Sequence, residues 1–536
     1  MPTRRERGEG RRDRIPKPIR GPGCPPGYWG WHAGKDRDAT GETHRGGSSL
    51  LPTVRRGGLR WESEGLTVPW KPGKPGGGKE PWFWVLSTGA RVGEIGVSLV
   101  TPEKIRSLQR KLYVKAKEEP TFRFYSLYDK IHRPDVLRHA YDLAKANGGS
   151  PGVDGETFNR IESRGLEDWL GRLQEELQSR RYSPSAVRRV YIPKPGGGER
   201  PLGIPTVRDR VAQTAAVLVL SPIFEAEFVD EMFGYRPRRS AQGAVKTVHE
   251  ALKAGYTDVV DADLSKYFDT IPHTDLLKSV ARRISDGAVL RLLKLWLTAP
   301  VEERDEAGRV KKSGGRDHRM GTPQGGVVSP LLANVYMNRF LRAWRERGMN
   351  ERLQAKVVNY ADDFVILCRG TAAQALAVTK RWMASLKLTL NEKKTCLRNA
   401  RRESFNFLGY TFGPAIHRPT GRRYLAVQPS KKAVARLRER VREILSSGNT
   451  APWKEVATRV NRVLRGWGNY FSYGTVSRAY WWVDAFVLHR ARGFLVRRHK
   501  VSGRGTRRFT AEMVFGTEGL ISLGAERRAA RPHAST

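Results

Sequence analysis

The chain is 536 residues long and carries 97 Lys and Arg against 54 Asp and Glu, a formal charge of +43 at pH 7. Such a length buries several cores, roughly two to four domains, and the cationic excess calls for a polyanionic partner, nucleic acid ahead of a membrane surface. The sequence has neither a long uncharged apolar run nor a signal-peptide pattern, and Cys24, Cys368 and Cys396 are too dispersed for a disulfide framework or a zinc site. A reducing, cytoplasmic setting follows.

Residues 1 to about 100 are basic or Pro/Gly-rich (RRERGEGRRDR, GPGCPPG, KPGKPGGGK) with little periodicity, which predicts a largely disordered extension. Trp29, Trp31, Trp61, Trp70, Trp82 and Trp84 are many aromatics for such a tail. Stacking on RNA would explain them. A translation start placed too far upstream, or a poorly ordered extension, is the plainer account.

From Thr101 the texture changes. Ile105, Leu108 and Leu112 have helical spacing behind a Thr-Pro-Glu start, and 123–147 reads as continued helix. A turn-rich loop, Asn147 to Gly155, precedes an amphipathic helix from about Leu166 to Ser179. A strand over Val187–Pro193 then meets a glycine loop, with Lys194 and Arg200 on either side. That flexible backbone lets two cations flank a phosphate chain, although an ordinary basic hairpin is the competing reading.

Thr214 to Glu227 predicts a buried helix, and Phe233 to Val245 a basic loop opening another. In Tyr256–His273 the alternation of Val259, Asp261 and Asp263 with Val260, Ala262 and Leu264 predicts a strand. Period 2 puts Asp261 and Asp263 on one face, so spacing does not choose between them. Phe268 lies five residues beyond Asp263. Arg319–Leu341 offers a glycine turn, then Gln324, then a helix opening at Ser329-Pro330, a platform for a base pair or phosphate.

Lys356–Arg369 (KVVNYADDFVILCR) predicts strand, tight turn, strand, with Tyr360, Ala361, Asp362 and Asp363 at the bend. Adjacent carboxylates on an apolar hairpin are costly if buried unless a divalent cation joins them; a solvated turn is the alternative. A helix (Ala372–Leu386), a turn with Lys393 and Lys394, and a strand over Phe405–Phe412 follow. From about Pro429 come three basic helices with interleaved aromatics, suited to RNA, and after Val501 a basic tail that frays. Three strand-borne carboxylates stand out: Asp263, Asp362 and Asp363. Nucleotidyl transfer uses two metals about 3.5–4 Å apart, held by acidic ligands from neighbouring strands. Asp362 is the fuller ligand and Asp363 the auxiliary one. Lys194 and Arg200 would meet a triphosphate, and Phe268 would exclude a 2′-hydroxyl.

YADD at 360–363, GTPQGGVVSPLLANVYMN at 321–338, IPKPGGGERPLGIPTVRDRVAQ at 192–213 and SPGVDG at 150–155 resemble bacterial group II intron reverse transcriptases. DADLSKYFDTIPH, the Lys393-Lys394-Thr395 turn, FNFLGY and RGWGNYF follow in that family's order. The resemblance spans about 101–500 and implies an α+β, right-hand polymerase with a helical thumb or maturase domain. Its divisions would be an extension (1–100), N-terminal helices and fingers (101–255), a palm with an antiparallel sheet (256–415), the thumb (425–500) and a basic tail (501–536).

The resemblance also makes Asp263 the first catalytic aspartate, with Asp362 and Asp363 completing a site for two Mg²⁺ ions, Mn²⁺ being a possible substitute. It implies dNTP-site roles for Lys194, Arg200, Phe268, Gln324, Tyr360 and Lys394. In the thumb, Arg465, Trp467, Tyr470, Arg490, Arg492, Arg497 and Arg498 are the expected RNA contacts. Implied partners are group II intron RNA, an RNA template with DNA primer, dNTPs and target DNA, at the bacterial nucleoid and away from membranes. The implied activity is RNA-directed DNA synthesis, with splicing of the intron RNA and its retrohoming. A splicing-only maturase and an intron-free reverse transcriptase in host defence are the alternatives. Many relatives end in an HNH endonuclease built on His and paired Cys. After Val501 only His533 is of that kind, so second-strand nicking is not expected.

Overall fold

The structure, a computed structural model, describes residues 99–193, 199–304, 309–315, 317–417 and 419–529. The expectations for Lys194, for His533 and for all but the last two residues of the basic extension lie outside the described residues. The fold is mixed α+β, with sheets in the middle of the chain and helices at its C-terminal end.

Helices Glu103–Glu118, Pro134–Asn147 and Leu166–Gln178 belong to the first core, whose axis is the helix Val207–Glu225. That helix is apolar on nearly every side and therefore buried nearly all round. Thr206 caps it, accepting from the Asp209 N–H. Residues 123–147 are not one helix. Arg133 is extended ahead of Pro134, as the proline ring requires of its predecessor, and the segment divides into Tyr128–Ile131 and Pro134–Asn147.

Eleven strands form three sheets among the described residues. β1 (Val187–Pro193), β2 (Glu199–Ile204), β4 (Pro300–Arg304) and β5 (Val310–Gly314) pair in the order β2-β1-β4-β5. The central sheet, wholly antiparallel, runs β6 (Ala355–Tyr360), β7 (Asp363–Cys368), β3 (Asp258–Asp263), β8 (Cys396–Asn399). Its two faces enter different cores. Val260, Ala262, Phe364 and Ile366 pack with the first core, and Val259, Val358, Val365 and Leu367 with a second. The sheet is thus the shared wall of both halves, as the apolar runs of its strands demand.

The expected single strand over Phe405–Phe412 is a hairpin. β9 (Phe405–Phe407) and β10 (Tyr410–Ile416) turn at Leu408 and Gly409, both at positive φ, and β11 (Arg423–Pro429) completes the sheet. Three amphipathic helices follow: Lys431–Ile444, Trp453–Tyr470 and Ser477–Arg498. Residues 502–529 do not fray. Phe509, Val514, Leu520 and Leu523 are buried in the second core, and Asp484 accepts from Ser522 Oγ and the N–H groups of Leu523 and Gly524 at 2.8–2.9 Å. Those four apolar residues follow neither helical nor strand spacing, so periodicity hides them. No helix among the described residues is long and apolar enough to cross a membrane.

Candidate functional site

Tyr360 pairs with Asp363 across β6 and β7, which leaves Ala361 and Asp362 as a two-residue turn. Ala361 takes φ +59, unusual for a residue with a Cβ. Its surroundings hold it there. Asn359 Nδ2 donates to the Ala361 carbonyl (2.9 Å), the Asn359 N–H donates to Glu231, and the Phe233 N–H donates to Asn359. Gly234 lies so close that a Cβ would stand 2.5 Å from the Ala361 nitrogen.

The β3–β7 register sets Asp263 opposite Asp363, and Asp261 shares their face two residues earlier. Burial raises Asp363 to about 7, with Asp261, Asp362 and Asp263 pushing the same way and the Leu408 N–H opposing. Burial also raises Asp261 to about 6, against the pull of Arg398. Asp263 accepts from Lys394 Nζ at 3.0 Å. Lys394 is brought there by Asn391, whose N–H bonds the Asp263 carbonyl and so ties residues 388–395 to the end of β3.

Asp263 and Asp362 line a cavity of about 940 Å³ together with Phe268, Arg200, Gln324 and Lys394. Gln324 is fixed on both sides: Oε1 accepts from Arg200 Nε (3.2 Å), and Nε2 donates to Asp269 (3.1 Å). Its carbonyl accepts the Gly203 N–H, joining β2 to the loop before the Ser329–Glu346 helix. Phe268 is buried in the wall, edge-on to Tyr235 at 6.4 Å. Asp363 and Tyr360 do not line the cavity. Tyr360 is half-buried and packs against the second core.

Among the described residues, no group of three or more His, Cys, Asp or Glu forms a metal cage by itself. The donors nevertheless fit Mg²⁺. It prefers hard oxygens and is usually held by one or two carboxylates plus substrate phosphates, which matches two cavity-lining aspartates. Burial raises Asp363, and the neighbouring aspartates add a repulsion that a dication would offset.

The expected RNA contacts divide by exposure. Arg465, Arg497 and Arg498 are exposed. Arg490 and Arg492 are half-buried, and Arg492 Nε bonds the Phe509 carbonyl. Trp467 is buried in the second core, and the Tyr470 hydroxyl is bonded to the Leu408 carbonyl, so neither ring is presented for stacking. Trp481 and Trp482 are the rings at the surface of the Ser477–Arg498 helix, 62% and 55% exposed.

Sequence reasoning passed over Arg189, which also lines the cavity, and Tyr235. Tyr235 is raised by burial and by Asp362 and Tyr360, with Arg200 opposing, so it stands among the site's charges. Its φ of +56 had no glycine or asparagine to announce it. Asp269, the partner of Gln324, is hidden inside KYFDTI.

Residues 192–412 match the family "Reverse transcriptase (RNA-dependent DNA polymerase)", and residues 434–510 match "Group II intron, maturase-specific domain". The chain is 36% identical over 366 residues to "Protein YkfC" of Escherichia coli (strain K12), covering 61% of this chain and 93% of that protein. It is 27% identical over 351 residues to "Group II intron-encoded protein LtrA" of Lactococcus lactis subsp. cremoris, covering 54% of this chain and 56% of that protein. "Nuclear intron maturase 2, mitochondrial" of Arabidopsis thaliana is 31% identical over 176 residues, 27% of this chain and 24% of that protein.

Proposed function

From the premise that the chain belongs to the group II intron-encoded reverse transcriptases, with a maturase-specific domain after the polymerase domain, we propose that it copies intron RNA into DNA at the Asp263–Asp362 cavity. The observation that carries this is the shared cavity itself: two aspartates, a fixed glutamine, a buried phenylalanine and exposed cations line one space. In this reading 101–255 form helices and fingers, 256–415 the palm and 425–500 the thumb of a right-hand polymerase.

Asp263 and Asp362 are the carboxylates that would hold the cations, with Asp363 as auxiliary. A divalent metal, Mg²⁺ with Mn²⁺ as a substitute, would supply charge stabilisation of the primer 3′-oxygen and the pyrophosphate leaving group. The side chains do the positioning. Arg200 and Lys394, joined by Lys194, pair with the triphosphate as charge-assisted donors. Gln324, clamped by Arg200 and Asp269, supports the nascent base pair. Phe268, packed on Tyr235, closes the space a 2′-hydroxyl would enter. Lys394 neutralises Asp263 until substrate arrives.

The second role is binding the intron RNA so that it folds and splices, through the basic outer faces of the three C-terminal helices. Retrohoming into target DNA at the bacterial nucleoid completes the reading. Splicing of the flanking intron RNA at low Mg²⁺, with and without the protein, tests this role. Equal splicing in both would leave a polymerase without maturase function.

A further inference from the structure

Phe268 lines the cavity, and its backbone is fixed: the Phe268 carbonyl accepts the Thr322 N–H at 2.6 Å. Its ring meets two others edge-on, Tyr267 at 5.8 Å and Tyr235 at 6.4 Å between centroids, separations that aromatic pairs favour. The two neighbours are held differently. Tyr267 is buried in the first core, and its hydroxyl donates to the Ala333 carbonyl at 2.6 Å. Tyr235 is 39% exposed and does not line the cavity, so its place is set chiefly by its backbone. That backbone is at φ +56, a region a residue with a Cβ rarely takes. Bonds on both sides keep it there. The Gly234 carbonyl accepts from Asn334 Nδ2 at 2.8 Å. Arg236 is buried, pairs with Glu225 at 2.7 Å, and donates from Nη1 to the carbonyls of Val229 (2.6 Å) and Met232 (2.8 Å). The Phe233 N–H donates to the Asn359 carbonyl at 2.8 Å, and a Cβ on Gly234 would stand 2.5 Å from the Ala361 nitrogen. The segment Phe233–Arg236 therefore abuts the turn that carries Asp362 while its tyrosine meets Phe268.

We propose that Tyr235 is a positioning residue for sugar selection: carried on the Phe233–Arg236 segment, it holds the Phe268 ring in the cavity wall at a set place relative to the aspartate turn. The inference rests on the reading of Phe268 as the group that excludes a 2′-hydroxyl. Such a group works by where its ring stands, and a misplacement of about 1 Å changes rates as much as a hundredfold. Tyr267 closes one side of the Phe268 ring from the core. Tyr235 closes another, so its removal gives the ring room to turn out of the wall. One segment bears on both the ring and the turn, so the sugar and the carboxylates are judged from a single frame. Arg236, Asn334 and Asn359 fasten that frame to the Val207–Glu225 helix, the Ser329–Glu346 helix and β6.

Tyr235→Ala removes the ring. In the full chain, with ribo- and deoxynucleotide competing for a DNA primer on an RNA template, it is expected to raise ribonucleotide incorporation relative to deoxynucleotide about fivefold, the effect of one lost edge-to-face contact. The KM for the ribonucleotide should fall relative to that for the deoxynucleotide. Tyr235→Phe keeps the ring and should restore the wild-type ratio. Adding Tyr235→Ala to Phe268→Val should change the ratio no further, because a residue that acts through another is not additive with it. Hydrogen exchange supplies a readout independent of activity: the Asp269 and Thr322 amides beside Phe268 should exchange faster in Tyr235→Ala and at the wild-type rate in Tyr235→Phe. Tyr235→Leu, which keeps apolar bulk without the flat ring, carries the same test if Tyr235→Ala does not fold. An unchanged ratio in the ring-deleted variant, a Tyr235→Phe protein as permissive as Tyr235→Ala, or a fully additive double variant would each overturn the proposal. A wild-type protein that makes no DNA, or a Phe268→Val ratio equal to wild type, would instead overturn the reading of Phe268, and the exchange data would still decide whether Tyr235 holds that ring.

Discussion

Asp263, the last residue of β3, faces Asp363, the first residue of β7, across one antiparallel register position. Opposed like charges on a sheet are destabilising, and Asp261 and Asp362 add to the repulsion at Asp363. The hairpin is thus assembled against its own electrostatics, held by the Asn359 hydrogen bonds and by Lys394 on Asp263.

Burial, with that repulsion added, sets a pH dependence. It raises folded Asp363 to about 7 from the 3.8 of an ordinary aspartate, so the native state binds more protons than the unfolded chain. Its contribution to stability is full below about 4 and is lost as pH rises through about 7. Asp363→Asn escapes this loss. It should match wild type near pH 4 and melt roughly 2 °C or more above it at pH 8, with added Mg²⁺ closing the gap by stabilising wild type. A variant less stable than wild type at pH 8 without metal would contradict the account.

Phe268→Val opens the wall where a ribose 2′-hydroxyl would fit. Single-nucleotide addition with competing ribo- and deoxynucleotide should show ribonucleotide incorporation raised at least about tenfold relative to deoxynucleotide. An unchanged ratio would remove Phe268 from sugar selection.

Lys394→Met strips Asp263 of its ammonium partner and the cavity of a mobile cation. The KM for dNTP should rise about tenfold, near 1.4 kcal/mol and within the range for a charge-assisted bond. RNA affinity should be unaffected. A KM left at the wild-type value would restrict Lys394 to neutralising Asp263.

On the helical unit, Arg497→Ala and Arg498→Ala should weaken RNA binding, each lowering the slope of log affinity against log salt by about one. Trp467→Ala should act differently, costing about 3–5 kcal/mol of stability because its ring is core. Binding titrations from about 50 to 200 mM salt and thermal melts separate the two. Affinity that ignores salt would count against a phosphate-binding face.

The aspartate hairpin, β3 and the three basic helices were legible because each writes its period into the sequence: alternation across Val259–Asp263, an apolar run after Asp363, helical spacing after Pro429. What escaped reading is tertiary. Pro134 broke a helix that composition had joined. Trp467 and Tyr470 read as RNA-facing aromatics because a ring beside arginines looks the same in sequence whether it points outward or into the core. Asp261 was left level with Asp263 by spacing. The fold distinguishes them through Lys394, which reaches Asp263, and the cavity, which Asp261 does not line. The packing of 501–529 depended on irregular contacts that no period encodes.

The central claim, that Asp362 at the hairpin tip serves RNA-templated DNA synthesis, is tested most directly by extending a DNA primer on an RNA template with wild type and Asp362→Ala. The account predicts Mg²⁺-dependent, full-length DNA from wild type and at least about a hundredfold loss in the variant, with RNA binding intact. Equal synthesis by the two proteins would contradict it.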